Sequence, residues 1–390
     1  MPMKSRTSDS ELKLALLINM IAPARLALYA GLAEYFNLLI LHGGREANRS
    51  SWSDVDKKVP AATVKRAWGW QFRIARKVAG RLYEYKFLHL TPGYILELLK
   101  FRPDVLVTNE MGFRTIVALT FGIVFRKPVW VWWGGTIHTE REISIHKRLI
   151  RWLISRVAGH WISYGQSSTA YLRTLGIDPN SILEIQNCVD EKRFLTVTEP
   201  AFQLQPRPVV LHVGQLTARK GIECLLKAAS ILQEEGANFS LLFVGDGPDE
   251  RVLQQRVSEL GLGHVYFHRS FPPEQMNSVY RSADVLIFPT LEDVWGLVAN
   301  EAILSGLPVL CSKYAGCARE LFDDNNICDP LDDVEFVGKL RAAIAGQLPK
   351  TSPARLRKTK QLLHSLVEAL QMSVRPRSRY SANVIVRRLD

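Results

Sequence analysis

The sequence predicts an α/β protein built from two doubly wound units, each a parallel sheet covered by helices on both faces. Three observations lead to this fold class. Apolar runs of strand length alternate with helical patterns along most of the chain. Most of these runs are almost continuously apolar, as parallel strands buried on both faces should be. With 390 residues, 47% of them hydrophobic and 23% charged, the chain can fill the cores of two or three domains.

The first unit opens with a strand that is followed by a helix. The helix is predicted over residues 25–36, and the strands over residues 13–19, 38–41, 105–108, 129–133, 160–164 and 182–186. Residues 196–208 are rich in proline and lack apolar periodicity, which predicts a linker. Residues 1–195 are therefore assigned to an N-terminal domain.

The second unit is predicted within residues 209–350. Its strands are expected near residues 209–213, 240–244, 264–267, 284–288 and 308–311. Beyond it, residues 351–390 are predicted to contain a partly amphipathic helix over residues 356–372 and a basic tail.

Positive charge is concentrated in the first half of the chain. Residues 1–195 hold 28 Lys and Arg against 16 Asp and Glu, which accounts for the whole net charge of +12. This asymmetry favours a membrane surface, a phosphorylated acceptor or nucleic acid as partner, and a solvated basic face without a partner is the alternative. Because no helix-turn-helix, zinc-finger or RNP-like aromatic motif accompanies the charge, we expect no nucleic-acid partner.

Residues 65–77 mix two tryptophans, Trp68 and Trp70, with several cations. Such a mixture is typical of a segment that lies in the headgroup layer of a membrane. Gly69 and a partly alternating pattern also allow a half-buried strand, and the sequence leaves both interpretations open.

The longest uncharged apolar stretch, residues 115–125, is too short to cross a bilayer, and the polar residues 1–11 do not resemble a signal peptide. We therefore expect a soluble or peripheral protein in a cytosolic compartment. The cysteines lack C-x2-C spacing and are interpreted as small buried hydrophobes rather than as metal ligands or disulfides. They are Cys188, Cys224, Cys311, Cys317 and Cys328.

Two acidic residues, Asp293 and Glu301, stand with seven residues between them, around Gly296 and before an apolar strand. This spacing places the first carboxylate in a loop at the mouth of a sheet and the second about two turns along the following helix. The glycine lets an anionic ligand approach the N–H groups at the helix start, where the helix dipole favours phosphate. The pattern indicates a ligand with phosphates and hydroxyls, and an ordinary surface acid is the alternative.

Several ordered segments resemble those of retaining glycosyltransferases of family four, which have the GT-B fold. They include VGQLTARKG at residues 213–221, FVGDGP at 243–248 and DVWGLVANE at 293–301. The resemblance implies two Rossmann-like domains that face a cleft, with a C-terminal segment that crosses back to the first domain. Two residues depart from the family pattern: Asp293 replaces a glutamate, and Gln215 replaces the usual arginine.

The same resemblance implies a nucleoside diphosphate sugar as donor substrate, with no cofactor. Lys220 would neutralise the departing diphosphate, and Arg219 is the candidate for a second phosphate contact in place of the missing arginine. Asp293 would contact the transferred sugar, and Glu301 would accept hydrogen bonds from the ribose hydroxyls. The remaining donor-side candidates are Gly214, Gln215, Gly245, Gly247, Arg269, Ser270, Phe271, Trp295, Gly296, Leu297 and Val298.

The glycines of GDGPDE, residues 245–250, could also belong to a dinucleotide fingerprint. The third glycine of that fingerprint is missing, which disfavours a dehydrogenase.

The first domain is expected to shape the acceptor site. Gly134 and Gly135 follow a strand and would let the donor sugar approach the backbone. His138 could substitute for a histidine that the family carries near position 134, although a structural role is the alternative. Glu110 and Arg25 also follow strands and are candidates for contacts with the acceptor.

No metal site is expected, because GT-B transferases generally need none. The D-x-D pattern of Asp54 and Asp56 follows no strand, and we interpret it as exposed to solvent.

The sequence thus predicts retaining, metal-independent transfer of a hexosyl unit to a hydroxyl acceptor. A lipid-linked or polysaccharide intermediate would be the acceptor, and the enzyme would be peripheral on the inner face of the membrane. A phosphorylase-like or hydrolytic relative is one alternative. Because of the departures at Asp293 and Gln215, an inactive GT-B protein that serves as a peripheral membrane or scaffold component is another.

Overall fold

The structure, a computed structural model, describes residues 11–44, 59, 61–78 and 81–375. Its architecture is two parallel sheets with helices between their strands, which confirms the predicted fold class. Residues Asp54 and Asp56, as well as the basic tail beyond residue 375, lie outside the described residues.

The first sheet has seven parallel strands in the order β3-β2-β1-β6-β7-β8-β9. These strands are β1 (Lys13–Ile18), β2 (Asn37–His42), β3 (Thr63–Arg66), β6 (Val105–Asn109), β7 (Val129–Trp133), β8 (His160–Tyr164) and β9 (Ile182–Ile185). Successive residues of β1 pack into different cores: Leu14 and Leu16 lie in one cluster, Ala15 and Leu17 in another. The sheet is therefore buried on both faces, as the continuous apolar runs predict.

The second sheet has six parallel strands in the order β12-β11-β10-β13-β14-β15. They are β10 (Val209–Val213), β11 (Ser240–Val244), β12 (Val265–His268), β13 (Val285–Phe288), β14 (Val309–Ser312) and β15 (Ile327–Cys328). Its two faces are also covered, since Leu211 and Val210 belong to separate apolar clusters.

Thirteen α-helices connect and cover these strands within the described residues. They are α1 (Leu26–Leu32), α2 (Gly93–Phe101), α3 (Phe113–Phe125), α4 (Ile145–Val157), α5 (Gly165–Thr174), α6 (Lys192–Leu195), α7 (Ile222–Glu234), α8 (Glu250–Glu259), α9 (Met276–Tyr280), α10 (Leu297–Leu304), α11 (Ala318–Leu321), α12 (Asp333–Ile344) and α13 (Thr359–Val374). None of the helices described is both long and apolar enough to span a bilayer.

The first helix differs from its prediction. The chain forms a single 3-10 turn at Pro23–Arg25, and α1 then runs only from Leu26 to Leu32, whereas one helix was expected over residues 25–36. Strands β3 and β15 were not predicted either. β3 pairs with β2 at the sheet edge and has a mixed TVKR sequence, while β15 has only two residues, so neither carries a clear apolar run.

The tryptophan-rich segment forms part of an antiparallel hairpin of β4 (Trp70–Val78) and β5 (Arg81–Leu90). The strand interpretation of this segment is therefore confirmed, but half-burial of its tryptophans is wrong. Trp68 is 64% exposed and Trp70 is 54% exposed, because this hairpin forms a sheet of its own. Gly69 is needed where the chain enters β4, since a Cβ there would collide with the backbone of Leu90 and Thr91.

The C-terminal segment returns to the first half of the molecule, as the resemblance implies. Helix α13 packs against α1, and its Leu362, Leu366 and Leu370 are buried in a core cluster of the first sheet. Trp130 donates a hydrogen bond from Nε1 to Ser373 Oγ (3.1 Å) at the end of this helix.

Candidate active site

The loops that follow β10 and β11 meet at the carboxyl edge of the second sheet, where open α/β sheets bind ligands. Leu216 N donates to the Asp246 carbonyl oxygen (3.1 Å) and joins the two loops. Gly245 has a φ of 155°, and a Cβ on it would collide with the Gly214 carbonyl. The close approach of the two loops therefore depends on glycine, and Gly247 packs in the same way on the backbone of Leu216.

Lys220 and Asp293 form a buried ion pair at this edge. Lys220 ends a 3-10 turn after β10, and its Nζ lies 2.5 Å from Asp293 Oδ2. Trp295 N donates to the other carboxylate oxygen, Oδ1 (3.2 Å). Burial opposes ionisation of Asp293, but the positive charges of Lys220 and Arg219 prevail and lower the pKa of its carboxyl. The two predicted catalytic side chains are thus adjacent, and the lowered pKa keeps Asp293 ionised at neutral pH.

Arg219 stands beside this pair. Its Nη1 donates to the Glu292 carbonyl oxygen (2.6 Å) and lies 3.9 Å from Asp293 Oδ2. Gln215 is partly buried in the loop that follows Gly214. The guanidinium therefore holds the acidic loop in place, and its compensation for Gln215 stays a prediction.

Helix α10 begins at the next residues of the acidic loop. Gly296 adopts a left-handed conformation (φ 102°) immediately before the helix, and a Cβ there would strike the Phe288 ring. No side chain caps the helix, so the N–H groups of Leu297 and Val298 are oriented toward the loop edge without a side-chain acceptor. The backbone N–H of Trp295, which was expected to bind phosphate, already donates a hydrogen bond to Asp293.

Glu301 lies in α10, about one turn beyond its first residue rather than the two predicted. Its Oε2 accepts a hydrogen bond from the Tyr280 hydroxyl (2.7 Å). Burial raises the pKa of Glu301 to about 7, and the Tyr280 hydrogen bond and the charge of Arg193 offset only part of this effect. The carboxyl therefore titrates near neutral pH in the absence of ligand.

The loop after β12 carries the residues proposed to contact the base. Arg269 and Ser270 are exposed, and Ser270 N donates to Asp246 Oδ2 (3.1 Å). Phe271 stacks on His268 with ring centroids 4.6 Å apart. The structure thus brings this loop to the glycine turn of β11, as the prediction requires.

On the side of the first sheet, the loop after β7 carries Gly134, Gly135 and His138. His138 reaches the other half of the molecule, where its ring makes an edge contact with Tyr314 (5.3 Å between centroids). Burial, and then the positive charges of Arg141 and Lys313, lower the pKa of His138, so it is neutral at pH 7. Gly134 packs directly against the Tyr164 ring, which leaves no space for a side chain.

The two remaining acceptor-side candidates, Arg25 and Glu110, line the same cavity of about 200 Å³ at the carboxyl edge of the first sheet. Arg25 is buried beside the rings of Trp132 and Tyr164. Glu110 adopts a left-handed conformation (φ 63°) and pairs with Arg114 (2.7 Å).

Direct contacts join the two halves beside this region. Glu320 accepts hydrogen bonds from Gln166 N (3.1 Å) and from Gln186 Nε2 (3.2 Å). Ser167 Oγ donates to the Gly316 carbonyl oxygen (2.9 Å). The carboxyl edges of the two sheets therefore approach one another across residues 165–167.

Hairpin β4–β5 makes a further contact between the halves. Arg76 of the hairpin pairs with Glu292 (2.8 Å), the residue immediately before Asp293. Sequence reasoning missed both residues of this pair, because only the fold brings together positions separated by more than two hundred residues.

The described residues contain no group of three or more His, Cys, Asp or Glu side chains placed to hold a metal ion. Four of the five cysteines are buried, Cys224 is partly buried, and all five are free thiols.

Comparison with known proteins shows what the second half of the chain is similar to. Residues 199–362 match the model of the family described as glycosyl transferases group 1. The chain is 24% identical over 285 residues to sulfoquinovosyl transferase SQD2 of Arabidopsis thaliana, a match that covers 66% of this chain and 53% of that protein. It is 34% identical over 130 residues to the GDP-mannose-dependent alpha-(1-6)-phosphatidylinositol monomannoside mannosyltransferase of Mycolicibacterium smegmatis, covering 31% of this chain and 34% of that protein.

The chain thus spans about half, or less, of the length of these curated relatives. Among solved structures, the Anabaena protein HepE in complex with UDP is similar with a TM-score of 0.69. The superposition covers 93% of this chain and 100% of that one at 17% identity, which supports the shared fold alone.

Proposed function

Because residues 199–362 match the model of the glycosyl transferases group 1, we propose that the protein transfers a hexosyl unit from a nucleoside diphosphate sugar to a hydroxyl acceptor. The observation that carries the proposal is the ion pair of Lys220 and Asp293, which lies beside the uncapped start of α10 at the carboxyl edge of the second sheet. A fixed positive charge and free backbone N–H groups at one place suit a diphosphate.

In this proposal the leaving diphosphate lies between Lys220 and the N-terminus of α10, near Arg219. Negative charge builds on the diphosphate as the bond to the sugar breaks, so a fixed ammonium there stabilises the transition state more than the ground state. Asp293 orients Lys220 and contacts the transferred sugar. Glu301, one turn along the same helix, accepts hydrogen bonds from the ribose hydroxyls.

Transfer with retention and without a metal ion is the finer part of the proposal. The leaving phosphate assists deprotonation of the acceptor on the same face of the sugar, so no second carboxylate at glycosidase-like separation is required. His138, neutral at pH 7 and placed beside Tyr314 across the cleft, is available to contact the sugar or the acceptor.

We further propose a lipid-linked or polysaccharide acceptor and a peripheral position on an anionic membrane. Helix α4 supports this, since Ile145, Leu149 and Trp152 are about half or more exposed while the helix contains no acidic residue. The hairpin segment carries further exposed apolar side chains, Trp68 and Trp70. One relative is named for a phosphatidylinositol monomannoside substrate, which is also consistent with a lipid acceptor.

The test is release of nucleoside diphosphate from a panel of nucleotide sugars, with and without EDTA, by the wild type and by Lys220→Ala. We expect one matched donor, no effect of EDTA, and a loss of roughly two to three orders of magnitude in kcat for Lys220→Ala, because leaving-group stabilisation is lost. Lys350→Ala, at an exposed position of the same half, is the control and should behave as the wild type.

Lys220→Arg, which keeps the charge beside Asp293, separates lost catalysis from lost folding. It should retain more activity than Lys220→Ala. A donor that stabilises the fold but is never turned over would instead favour the inactive scaffold alternative. The anomeric configuration of the product, measured by NMR, decides whether transfer proceeds with retention.

A further inference from the structure

A cavity of about 200 Å³ opens at the carboxyl edge of the first sheet, apart from the ion pair of Lys220 and Asp293. Strands β1, β6 and β8 end here, and Asn19, Asn109 and Tyr164 are the last residue of a strand or the one that follows. Arg25, from the 3-10 turn before α1, also lines it.

The guanidinium of Arg25 is buried without full compensation. Arg25 is only 8% exposed, and its Nη1 is inaccessible to water and has no hydrogen-bond partner. No ion pair in the described part of the chain includes this residue. Burying a cation without an anion is costly, so its retention at a cavity points to a negative charge supplied by a ligand.

Two aromatic rings fix the orientation of the guanidinium. Its carbon lies 4.8 Å from the centroid of Trp132 and 4.9 Å from that of Tyr164. The centroids of the two rings are 5.8 Å apart, so both rings lie to one side of the guanidinium, and part of its N–H edge is left to face the cavity that Arg25 lines. The side chain is therefore held before any ligand arrives.

The carboxylate that lines this cavity is already paired. Glu110 pairs with Arg114 (2.7 Å) and accepts a hydrogen bond from Asn19 Nδ2 (3.2 Å). Arg114 also donates to the Asn109 carbonyl oxygen (2.7 Å). These contacts hold Glu110 beside the cavity, and they pair its charge with Arg114 rather than with Arg25.

Asn109 supplies a second unsatisfied group. Its side-chain Oδ1 is buried and has no hydrogen-bond partner. A hydroxyl on the ligand would donate to this oxygen, which suits a molecule that carries an alcohol close to its oxyanion.

We infer that this cavity binds an oxyanion of the acceptor, a phosphate or a carboxylate, on Arg25, with a neighbouring hydroxyl on Asn109. This inference rests on the proposed function, since it names the chemical class of the hydroxyl acceptor. The donor diphosphate is assigned to the other sheet, where Lys220 and α10 lie. Tyr164 connects the two places: it lines the cavity, and the following Gly165 packs on Trp295 beside Asp293.

The experiment measures binding of sn-glycerol 3-phosphate and of glycerol to the full chain by calorimetry, in the absence of any nucleotide sugar. Glucuronate and glucose form the matched carboxylate pair. We expect the charged member of at least one pair to bind at least tenfold more tightly than its neutral partner. Arg25→Gln should abolish this preference, and Arg173→Gln, an exposed arginine of α5 in the same half, should leave it unchanged.

Two further measurements distinguish other roles of Arg25. Arg25→Gln removes an uncompensated buried charge, so its melting temperature should equal or exceed that of the wild type. Asn109→Asp should also abolish the preference for the charged probe, because a carboxylate then occupies the cavity.

Equal binding of charged and neutral probes, or an unchanged preference in Arg25→Gln, would overturn the inference. So would a loss of nucleoside diphosphate binding in Arg25→Gln, which would assign Arg25 to the donor. No donor is present in the binding assay. Its outcome therefore does not depend on whether the protein proves to be a transferase.

Discussion

Among single residues, Glu301, the proposed ribose contact, is a carboxyl whose burial makes its charged form costly. A buried carboxyl favours its neutral form, which raises its pKa to about 7 from the ordinary value of 4.5. The Tyr280 hydroxyl donates to the side chain and partly stabilises its charge. If two ribose hydroxyls also donate hydrogen bonds to this carboxylate, the ligand stabilises the charge that burial destabilises.

This arrangement makes both stability and donor affinity depend on pH at Glu301. The folded state holds the Glu301 proton more tightly than the unfolded state does. Protonation of Glu301 therefore stabilises the folded state fully below about pH 4.5, and this stabilisation is lost as pH rises through about 7. We therefore expect Glu301→Gln to melt a few degrees higher than the wild type at pH 8 and at a similar temperature at pH 5. Donor affinity should rise with pH through about 7 in the wild type and stay low and constant in Glu301→Gln.

Thermal melts and donor titrations between pH 5 and pH 8 check this prediction. Glu368→Gln, at an exposed position on α13, is the control and should track the wild type throughout. A donor affinity that is identical in wild type and Glu301→Gln would remove Glu301 from the ribose site.

At the scale of elements, hairpin β4–β5 is both a contact between the halves and an exposed apolar surface. Arg76 reaches Glu292 beside the acidic loop, whereas Trp68, Trp70 and Phe72 face solvent. The rings of Trp68 and Trp70 lie 4.8 Å apart, edge to face. Side chains this exposed contribute little to folding and are suited to insertion among lipid headgroups.

The double variant Trp68→Ala, Trp70→Ala should bind vesicles of anionic lipid more weakly than the wild type while it keeps the same melting temperature. Replacing Lys65 and Arg66 with glutamine should instead flatten the salt dependence of binding. Vesicle sedimentation at several salt concentrations provides the measurement. The control variant is Leu331→Ala, Val334→Ala, which removes exposed apolar side chains from the second half.

Two results would contradict the membrane proposal for this hairpin. One is a wild type that ignores acidic vesicles even at low salt. The other is a double tryptophan variant that loses thermal stability but not lipid affinity.

At the scale of the whole molecule, the chain crosses between its halves twice. The second crossing, near Arg357, is tied to the first sheet by a hydrogen bond from its N–H to Gln186 Oε1 (2.6 Å). Helix α13 then completes a core of the first half, although it is far from that core in sequence. The stability of the first half therefore depends on residues at the end of the chain.

Leu366→Ala should lower the free energy of unfolding of the first half by about 2–5 kcal/mol, since Leu366 is fully buried and its truncation leaves a cavity. Met372→Ala, on an exposed part of the same helix, should cost much less. Denaturant titration followed by tryptophan fluorescence checks both variants. Equal effects of the two substitutions would mean that α13 is not part of this core.

Elements and residues that are marked by a clear local pattern were predicted best from the sequence. Strand β7 was predicted with its observed bounds because five consecutive apolar residues can only be satisfied on both faces inside a sheet. Asp293 and Glu301 were singled out from their spacing and Lys220 from the family resemblance, and the structure brings Lys220 and Asp293 into contact. Helix α1 was predicted too long, because beyond Leu32 the chain continues in hydrogen-bonded turns, in which Glu34 N donates to the Gly31 carbonyl oxygen and Tyr35 N to that of Leu32.

The fold class, the two parallel sheets and the glycine-containing loop motifs could be predicted from the sequence, because apolar periodicity and loop glycines act over a few residues. The exposure of Trp68 and Trp70, the pairing of Arg76 with Glu292 and the burial of Arg25 beside two rings depend on the tertiary structure. Each of these depends on segments that are far apart in the chain, and burial is a property of what packs around a residue rather than of the residue itself. The charge of Arg25 was visible in the sequence, but only the folded molecule leaves its buried Nη1 without a hydrogen-bond partner among the described residues.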